Sequence, residues 1–412
     1  MINKKYYPWV VVGLLWVVAL LNYMDRQMLS TMQEAMKADI LELNKAEAFG
    51  ALMAVFLWIY CFMSPVAGII TDRLNRKWLV VGSLFVWSAV TFFMGWAQTF
   101  NQLYCLRALM GISEALYIPS ALSLIADWHQ DSTRSLAIGI HMTGLYTGQA
   151  IGGFGATVAA AFSWQETFHG FGLIGIAYAI VLMLFLHENP AHNQKETPKA
   201  VEQTEKKPSL FSGLAVVLSN MAFWVILLYF AVPSLPGWAT KNWLPTLFAE
   251  NLGIEMSVAG PLSTITIAAS SFIGVIVGGI LSDRWVLKNI RGRIYTSAIG
   301  LGMTIPSLLL LGLSHNVVSL VCAGLLFGVG YGMFDANNMP ILCQFISAKH
   351  RGTAYGIMNM VGVCAGALVT QVLGSWTDQG GLGMGFALMS VVVLIVLAIQ
   401  LTCLRPKTQN ME

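Results

Sequence analysis

Opposite charges occur inside two long apolar runs of the chain, where ionisable side chains are rare. In the first run, Asp25 and Arg26 follow Asn22, and their spacings place all three on one face of a helix. In the fourth run, Arg107 and Glu114 lie two helical turns apart on one face. Such groups either form buried pairs that fix helix packing or serve a function. Their occurrence in two runs favours a functional site.

The composition is that of an integral membrane protein. Of 412 residues, 56% are hydrophobic and 10% are charged, whereas about 25% of residues are charged in soluble domains. Backbone groups in lipid must bond within their own segment, so each apolar run predicts a helix. The runs that reach the roughly 20 residues needed to span a bilayer lie near 9–32, 47–70, 78–97, 101–126, 135–161, 167–187, 220–248, 259–281, 294–313, 317–345, 352–375 and 382–404. The predicted fold class is therefore an all-α membrane protein with twelve transmembrane helices.

Lysine and arginine placement predicts the orientation in the membrane. With both termini in the cytoplasm, all but five of the 23 basic residues lie on the cytoplasmic side. The five are Arg26, Lys37, Lys45, Arg107 and Lys241. We therefore expect a multi-pass protein of the plasma (inner) membrane. The net charge of +3 reflects topology rather than nucleic-acid binding.

The sequence lacks the patterns that bind metals or perform covalent catalysis. The six cysteines stand singly in the apolar runs, without CxxC or Cys/His spacing, so neither disulfides nor a metal site is expected. There is also no nucleotide-binding loop and no nucleophile with a positioned base. We expect a monomer that is not an enzyme and needs no cofactor.

One motif occurs in both parts of the chain. The segment 68–77 begins Gly-Ile-Ile-Thr-Asp-Arg, and the segment 279–284 reads Gly-Ile-Leu-Ser-Asp-Arg. Small residues permit close helix approach, and an aspartate at the membrane surface can cap a neighbouring helix or pair with an arginine. Residues that contribute to gating are therefore predicted at Gly68, Asp72, Arg73, Arg76, Asp283 and Arg284.

A second pair of similar segments lies at 134–139 and 351–356. Both pairs have nearly the same offset, which indicates two six-helix halves in the same order, an internal repeat found in transporter folds. The predicted division is a first bundle at 1–187, a charged and proline-containing cytoplasmic linker at 188–210, and a second bundle at 211–412.

Residues 68–77 resemble the signature of the major facilitator superfamily, although Asn75 replaces the usual glycine and Thr71 a smaller residue. The resemblance covers nearly the whole chain and implies a transporter. Within the superfamily, features that resemble the anion:cation symporter family of sugar-acid and sialin-like carriers are Asn22-Tyr23-x-Asp25-Arg26, Tyr60, Arg107-x3-Gly111-x2-Glu114-Ala115 and Trp243-Leu244-Pro245. The first and third of these also resemble the Spinster lipid transporters.

This resemblance implies that Asp25 and Glu114 take up and release protons, while Arg26 and Arg107 bind the substrate's negative charge or neutralise the carboxylates. Charge balance supports the same interpretation. With Asp25 paired to Arg26, and Glu114 paired to Arg107, the charges cancel, whereas protonation of both acids leaves a cationic pocket. Burial favours the neutral acid and a nearby arginine favours the ionised acid. A change in hydration during transport can therefore move a proton.

The remaining candidates for substrate binding are polar residues of the apolar runs, Asn22, Tyr60, His141, Gln149, Asn359 and Asp335. An interhelical hydrogen bond is the alternative role of His141, Gln149 and Asn359. Asp335 has no visible basic partner and departs from both resembling families. It either stays protonated or binds a cation, so Na⁺ coupling remains an alternative to proton coupling.

Small residues and prolines predict where helices cross or break. Glycine recurs every four residues at 144–152 and at 274–278, which predicts close crossings where the two halves slide, although packing alone explains it as well. The segment 233–237, Pro-Ser-Leu-Pro-Gly, is predicted to break the seventh helix at the depth of the charges in the first helix.

Two arginines with neighbouring hydroxyl and amide groups suit a carboxylate that carries several hydroxyls. We expect a secondary active transporter that performs proton-coupled symport of a small organic anion, such as an aldonate, uronate or sialate, by alternating access. The alternatives are a Spinster-like carrier of a lysolipid or another amphipathic molecule, and a substrate-sensing receptor built on a carrier fold.

Overall fold

The computed structural model describes residues 6–129, 131–189, 217–347 and 350–406. All regular elements in these ranges are helices, and the long ones are numbered in chain order. They are α1 (Tyr7–Leu29), α2 (Ala46–Arg73), α3 (Arg76–Met94), α4 (Phe100–Trp128), α5 (Asp131–Gly152), α6 (Trp164–Phe185), α7 (Met221–Leu252), α8 (Met256–Val286), α9 (Gly292–Leu313), α10 (Val317–Phe345), α11 (Arg351–Thr377) and α12 (Leu382–Cys403).

In this described part of the chain, 11 helices are long and apolar enough to cross a membrane, and α5 completes the predicted set. The predicted all-α membrane fold is confirmed. The fifth predicted run, 135–161, is divided, because α5 ends at Gly152 and a short helix, Gly155–Ala161, follows. Short helices at Gln33–Met36 and Leu41–Asn44 occupy the first loop.

Polar side chains fix where several helices begin. Thr99 and Gln102 form a capping box at the start of α4. Asn75 caps α3, Asn220 caps α7 and Asn316 caps α10, each through its side-chain oxygen and a backbone N–H of the first turn. These bonds satisfy backbone donors that have no partner inside the helix.

Helices from the same part of the chain pack together. Among residues 6–189, the N-terminal half, α1 packs on α5, α2 on α4 and α3 on α6. Among residues 217–406, the C-terminal half, α10 packs on α8 and α9, and α9 also packs on α12. The halves meet where α2 contacts α11 and α5 contacts α8. Residues 190–216 lie outside the described chain, so the boundaries of the linker and the bundles stay predictions.

The recurring glycines of α5 and α8 contact helices of their own half. In α5, a Cβ added at Gly148 would collide with the carbonyl oxygen of Leu20 in α1, and the other two glycines of the stripe also face α1. In α8, Gly274 meets the carbonyl of Val329 in α10. The prediction that these stripes mark the sliding contact was wrong, because the small residues bring backbones together within each half.

Helix α7 continues through Pro233 and Pro236, so the predicted break at this point was wrong. Both prolines are buried among other helices. Proline is tolerated inside a membrane helix where neighbouring groups satisfy the backbone.

One disulfide joins the two halves, against the expectation that the chain forms none. Cys61 of α2 bonds to Cys364 of α11, and their Cα atoms lie 6.0 Å apart. The two cysteines are separated by 303 residues and belong to no spacing pattern. Only the contact between α2 and α11 in space brings them together.

The halves are joined on one side of the membrane. We call the side where α1 begins and α12 ends the terminal side, and the other the far side. On the far side, the Asp378 carboxylate after α11 accepts hydrogen bonds from the backbone N–H groups of Ala46 (2.7 Å) and Glu47 (2.9 Å), at the start of α2. An ideal Cβ on Gly374 would lie 2.7 Å from the carbonyl oxygen of Ala46, so the backbones are also in contact. A carboxylate at a helix N-terminus is favourable, and this contact stabilises closure of the far side.

Several glycines nearer the terminal side have no packed neighbour. Ideal Cβ atoms on Gly68 of α2, Gly139 of α5 and Gly356 of α11 meet no atom within 4 Å. Leu136, near the start of α5, is 59% exposed. These positions border open space, whereas α2 and α11 are in backbone contact at the far side.

Candidate functional site

Glu114 of α4 connects two polar side chains of α1. Its Oε2 atom accepts hydrogen bonds from Asn22 Nδ2 at 2.8 Å and from Arg26 Nε at 2.6 Å. The ion pairs predicted from the sequence, Asp25 with Arg26 and Glu114 with Arg107, were wrong. Side chains on one helix face can still point to different neighbours, and the ion pair therefore forms between α1 and α4.

The Arg26 guanidinium lies in a cage of aromatic rings. Its Cζ atom is 5.2 Å from the ring centroid of Tyr23, 4.7 Å from that of Phe56 and 4.9 Å from that of Tyr60. Aromatic faces attract a cation, and more strongly where water is scarce. The Arg26 side chain is 12% exposed and that of Glu114 is fully buried. The cage can therefore hold the positive charge in place when Glu114 is protonated.

Asp25 and Arg107 lie deeper in the N-terminal half. Thr91 of α3 donates to the Asp25 carboxylate at 3.4 Å, so this carboxylate points away from Arg26. Arg107 lies 4.7 Å from the ring centroid of Phe56, and its Nη1 is 3.0 Å from Sδ of Met110. Among the described residues, Arg107 forms no salt bridge. Its charge acts on the nearby Glu114 and Asp25 carboxylates without a direct bond to either.

The cluster also contains buried polar atoms that no protein group satisfies. They are Asn22 Oδ1, Asp25 Oδ1, Arg26 Nη2, Arg107 Nε and Glu114 Oε1. A buried donor or acceptor without a partner costs roughly 1–3 kcal/mol, and such atoms mark places where water or a ligand binds. The arginine atoms can donate to an anion, and the carboxylate atoms can accept protons. One cluster thus has the groups needed for both ions.

A cavity lies between the halves beside this cluster, with an empty volume of ≈ 550 Å³ that includes its open mouth. The N-terminal half contributes Tyr23, Met142, Leu145, Tyr146 and Gln149. The C-terminal half contributes Gly237, Thr240, Lys241, Ile267, Ser271, Phe327, Tyr331 and Asp335. The lining therefore combines apolar and aromatic surface with a few polar groups, as is typical of small-molecule sites.

Lys241 of α7 is a cavity residue that the sequence analysis used only to predict topology. Its Nζ atom lies 4.7 Å from the ring centroid of Trp238 and 5.7 Å from that of Tyr23. Because Arg26 contacts the same Tyr23 ring, this ring lies near cations from both halves. The available signal was a lysine in the middle of an apolar run, which is a functional candidate by default.

Asp335 lines the same cavity as Lys241. Its side chain is exposed, and Asn338 Nδ2 donates to its Oδ1 atom at 3.2 Å. The sequence showed no basic partner for this acid, and Lys241 on the cavity wall is the charge that it faces. In the described chain no salt bridge joins the two, so both remain available to a ligand.

The other predicted binding residues are divided between the cavity and the protein interior. Gln149 lines the cavity and Tyr60 contacts Arg26. His141 is fully buried beside Tyr117, with 6.0 Å between ring centroids, and Asn359 is half-buried in α11. Neither His141 nor Asn359 is among the residues that line this cavity. For His141 the reason is its position three residues before a glycine that faces α1, which turns it into the N-terminal half.

The first copy of the repeated motif connects helices of the N-terminal half. Arg76, at the start of α3, forms an ion pair with Asp127 of α4. Its backbone N–H donates to the carboxylate of Glu188, after α6, at 2.6 Å. The side chain of Asp72 lies outside the described part of the structure. The gating role predicted for Asp72 therefore stays a prediction.

The second copy has a similar arrangement in the C-terminal half. Asp283 of α8 pairs with Arg293 of α9 at 3.5 Å. Arg73 and Arg284, at the ends of α2 and α8, are exposed, and Gly68 borders open space. In this conformation the described contacts of the motif are made within each half, and a gating contact between halves stays a prediction.

Membrane helices in two halves that surround a charged cavity have the architecture of a membrane carrier. The family model of the Major Facilitator Superfamily matches residues 15–370 of the chain, with a second match at residues 244–410. The chain therefore belongs to the major facilitator superfamily. It is a transporter and not an enzyme, as the sequence resemblance indicated.

Individual relatives are carriers of anions. The probable chloroplastic anion transporter 2 of Oryza sativa subsp. japonica is 24% identical over 366 residues, which cover 84% of this chain and 66% of the plant protein. The hexuronate transporter of Bacillus subtilis (strain 168) is 25% identical over 408 residues, which cover 95% of this chain and 92% of that protein.

Among solved structures, a bacterial homologue of the human lysosomal transporter Spinster, in an inward-facing and unoccupied conformation, has the same fold. Its TM-score is 0.80 with 20% sequence identity, and the match covers 97% of both chains. This likeness establishes the fold, and the substrate must be argued from the site.

Proposed function

We propose that the protein is a proton-coupled symporter of a small sugar acid, such as an aldonate, uronate or sialate. The observation that carries this proposal is the bond between Arg26 Nε and Glu114 Oε2 at 2.6 Å, beside a cavity between the halves. A substrate carboxylate and the Glu114 carboxylate compete for the same guanidinium. Similarity to a hexuronate transporter and to a probable anion transporter supports an anionic substrate.

Competition for Arg26 explains why a proton and an anion would travel together. While Glu114 is ionised, it occupies Arg26 and the anion finds a weaker partner. Protonation of Glu114 weakens that bond, and the aromatic cage keeps the guanidinium in place with its donors directed to a new acceptor. Anion binding then restores neutrality, which favours closure around the substrate. Asp25, buried in the same cluster, is the second proton carrier in this proposal.

The rest of the cavity suits a molecule with several hydroxyl groups. Gln149, Thr240 and Ser271 present amide and hydroxyl groups to it. Phe327 and Tyr331 are stacked, with 5.6 Å between their centroids, and can pack against the apolar face of a sugar. Lys241 provides a cation from the C-terminal half, so the substrate's charge would contact both halves and connect them during transport.

We further propose that the cavity opens at the terminal side of the membrane. If the termini are cytoplasmic, as the distribution of basic residues predicts, the cavity opens to the cytoplasm. The far side, closed by Asp378 on the start of α2, then faces outward. Asp72 and Asp283 would act when the cytoplasmic ends of the helices come together.

A thermal-shift screen of the purified protein tests the substrate class. We expect stabilisation by sugar acids and little or none by neutral sugars, simple dicarboxylates or lysolipids. Arg26→Gln should lose the response. Arg291→Gln should keep it, because Arg291 also lies against a tyrosine ring, 5.0 Å from Tyr295, but does not line the cavity. Equal stabilisation by neutral sugars would contradict the role given to the arginines.

A carrier of lysolipids is the second candidate. Four apolar residues of the cavity, Met142, Leu145, Ile267 and Phe327, provide surface that an acyl chain could cover. The charged pair Lys241 and Asp335 lies on the same lining and opposes an apolar ligand there. Stabilisation by lysolipids alone in the same screen would favour this second candidate.

A further inference from the structure

We propose that Asp335 selects among sugar acids by contacting the end of the substrate that lies away from the substrate's first carboxylate. It accepts hydrogen bonds from hydroxyl groups at that end and excludes acids that carry a second carboxylate there. The preferred substrates are therefore monoacids that end in a hydroxyl group. This inference rests on the proposed function, because it assumes that the first carboxylate binds at Arg26 in the N-terminal half.

The described cavity lining has one charge of each sign, and these two charges face each other. Among the described residues that line it, Lys241 is the basic one and Asp335 the acidic one. Lys241 lies between the rings of Trp238 and Tyr23, and Tyr23 also contacts Arg26. The substrate carboxylate that competes with Glu114 binds at Arg26, in the N-terminal half. The remainder of a sugar acid must then extend along the lining, which includes Asp335.

The chemistry of Asp335 defines what it can bind. An ionised carboxylate accepts hydrogen bonds and donates none. Its Oδ1 atom already accepts a bond from Asn338 Nδ2 at 3.2 Å, and the exposed side chain leaves Oδ2 free for a donor from the substrate. A hydroxyl group satisfies this oxygen. A second carboxylate on the ligand is repelled by the Asp335 carboxylate. A site that places like charges against each other discriminates strongly between otherwise similar ligands.

The surroundings make Asp335 a fixed element of the site. Helix α10 consists of two segments, Val317–Asp335 and Asn338–Phe345, and Asp335 ends the first of them. Asn337, between the segments, is fully buried, and its Nδ2 donates to the carbonyl of Met333 at 2.8 Å. This bond holds the turn of α10 that carries Asp335. Because its backbone is held in this way, the Asp335 carboxylate keeps a fixed position and repels a second substrate carboxylate at that position.

Exchange in proteoliposomes without any ion gradient tests the inference, because exchange does not depend on coupling. The probes are galactonate, which ends in a hydroxymethyl group, and galactarate, which has the same carbon chain with a second carboxylate. Each unlabelled acid competes with labelled galactonate. In the wild type we expect galactonate to compete at least about tenfold better than galactarate.

Asp335→Asn should reduce this preference to within about threefold, mainly because galactarate gains affinity when the opposing charge is removed. Asp335→Glu keeps the charge and should keep the exclusion. Asp335→Ser is the replacement if the asparagine variant does not fold. Glu255→Gln is the matched control, since Glu255 is an exposed acid of the C-terminal half that does not line the cavity. It should rank the two acids as the wild type does.

The possible failures are distinguishable. Equal competition by both acids in the wild type would overturn the inference and leave the sugar-acid proposal intact. An unchanged ranking in Asp335→Asn would do the same, and a loss of accumulation in that variant would then make Asp335 a coupling residue. If no sugar acid competes in the wild type, the proposed function itself is overturned.

Discussion

The N-terminal half keeps its charged groups inside its own helices, whereas the C-terminal half presents them to the cavity. Glu114 is fully buried, and Asp25 and Arg107 are nearly so, while Arg26 is bonded to Glu114 within the same half. In the C-terminal half, Lys241 and Asp335 line the cavity. The two halves repeat a fold, but they do not repeat the placement of charge.

This difference assigns different tasks to the two halves. A buried acid that is bonded to an arginine responds to its own protonation, because the bond weakens when the acid becomes neutral. An exposed charge on the cavity wall contacts whatever enters. We therefore propose that the N-terminal half carries the proton and that the C-terminal half recognises the substrate, with Arg26 connecting the two events.

The largest effects are expected from removing the arginines of the buried cluster. Arg26→Ala and Arg107→Ala should both abolish uptake of an anionic substrate. Arg26→Ala should also destabilise the fold by roughly 3–5 kcal/mol, because it leaves a buried carboxylate unpaired. The double variant Arg26→Ala with Glu114→Gln should regain thermal stability without regaining uptake. Normal uptake by both single variants would remove the basis for an anionic substrate.

A smaller effect is expected from Lys241, the half-buried cation on the cavity wall of the C-terminal half. Lys241→Gln should weaken apparent substrate affinity about tenfold, since one charge-assisted hydrogen bond is lost. Folding and proton-driven accumulation at saturating substrate should remain, because Lys241 has no salt bridge to leave unpaired in the described chain. Lys288→Gln, outside the cavity, is the control for competition assays. An unchanged affinity in Lys241→Gln would place recognition in the N-terminal half alone.

The smallest effect is expected where the halves meet at the far side. Asp378→Asn removes a charge from the start of α2 and should shift the population toward the state that is open on that side by about two- to fivefold. A fluorescence pair placed across the far ends of α2 and α11 would report the shift. The Cys61→Ser background removes the disulfide between the halves. No shift would mean that backbone packing alone closes the far side.

Helix existence and the identity of the buried charges could be predicted from the sequence, but their pairing could not. Long apolar runs are sufficient to predict membrane helices, and ionisable residues inside them mark function. Their spacing along one helix suggested that Arg107 forms an ion pair with Glu114. The closer partner, Arg26, comes from another helix, and the approach of α1 to α4 is a property of the packed bundle.

Other errors have a similar cause. The glycine stripes predicted close contacts correctly, but their partners were in the same half. Pro233 and Pro236 indicated a helix break, yet α7 continues through both prolines where they are buried among other helices. Lys241 was visible in the sequence, and its role depended on which face of α7 meets the cavity. In each case the residue type predicted a role, but the sequence did not show which helix or residue it contacts.

Separation of exchange from accumulation in Glu114→Gln tests the central claim most directly. Glutamine cannot release a proton and resembles the protonated acid, so Arg26 stays available to the substrate. In proteoliposomes this variant should exchange a labelled sugar acid across the membrane and fail to concentrate it under an inward proton gradient. Glu255→Gln should do both. Concentration of the sugar acid by Glu114→Gln would contradict the account, because coupling would then not need the Glu114 proton and Asp25 or another acid would carry it alone.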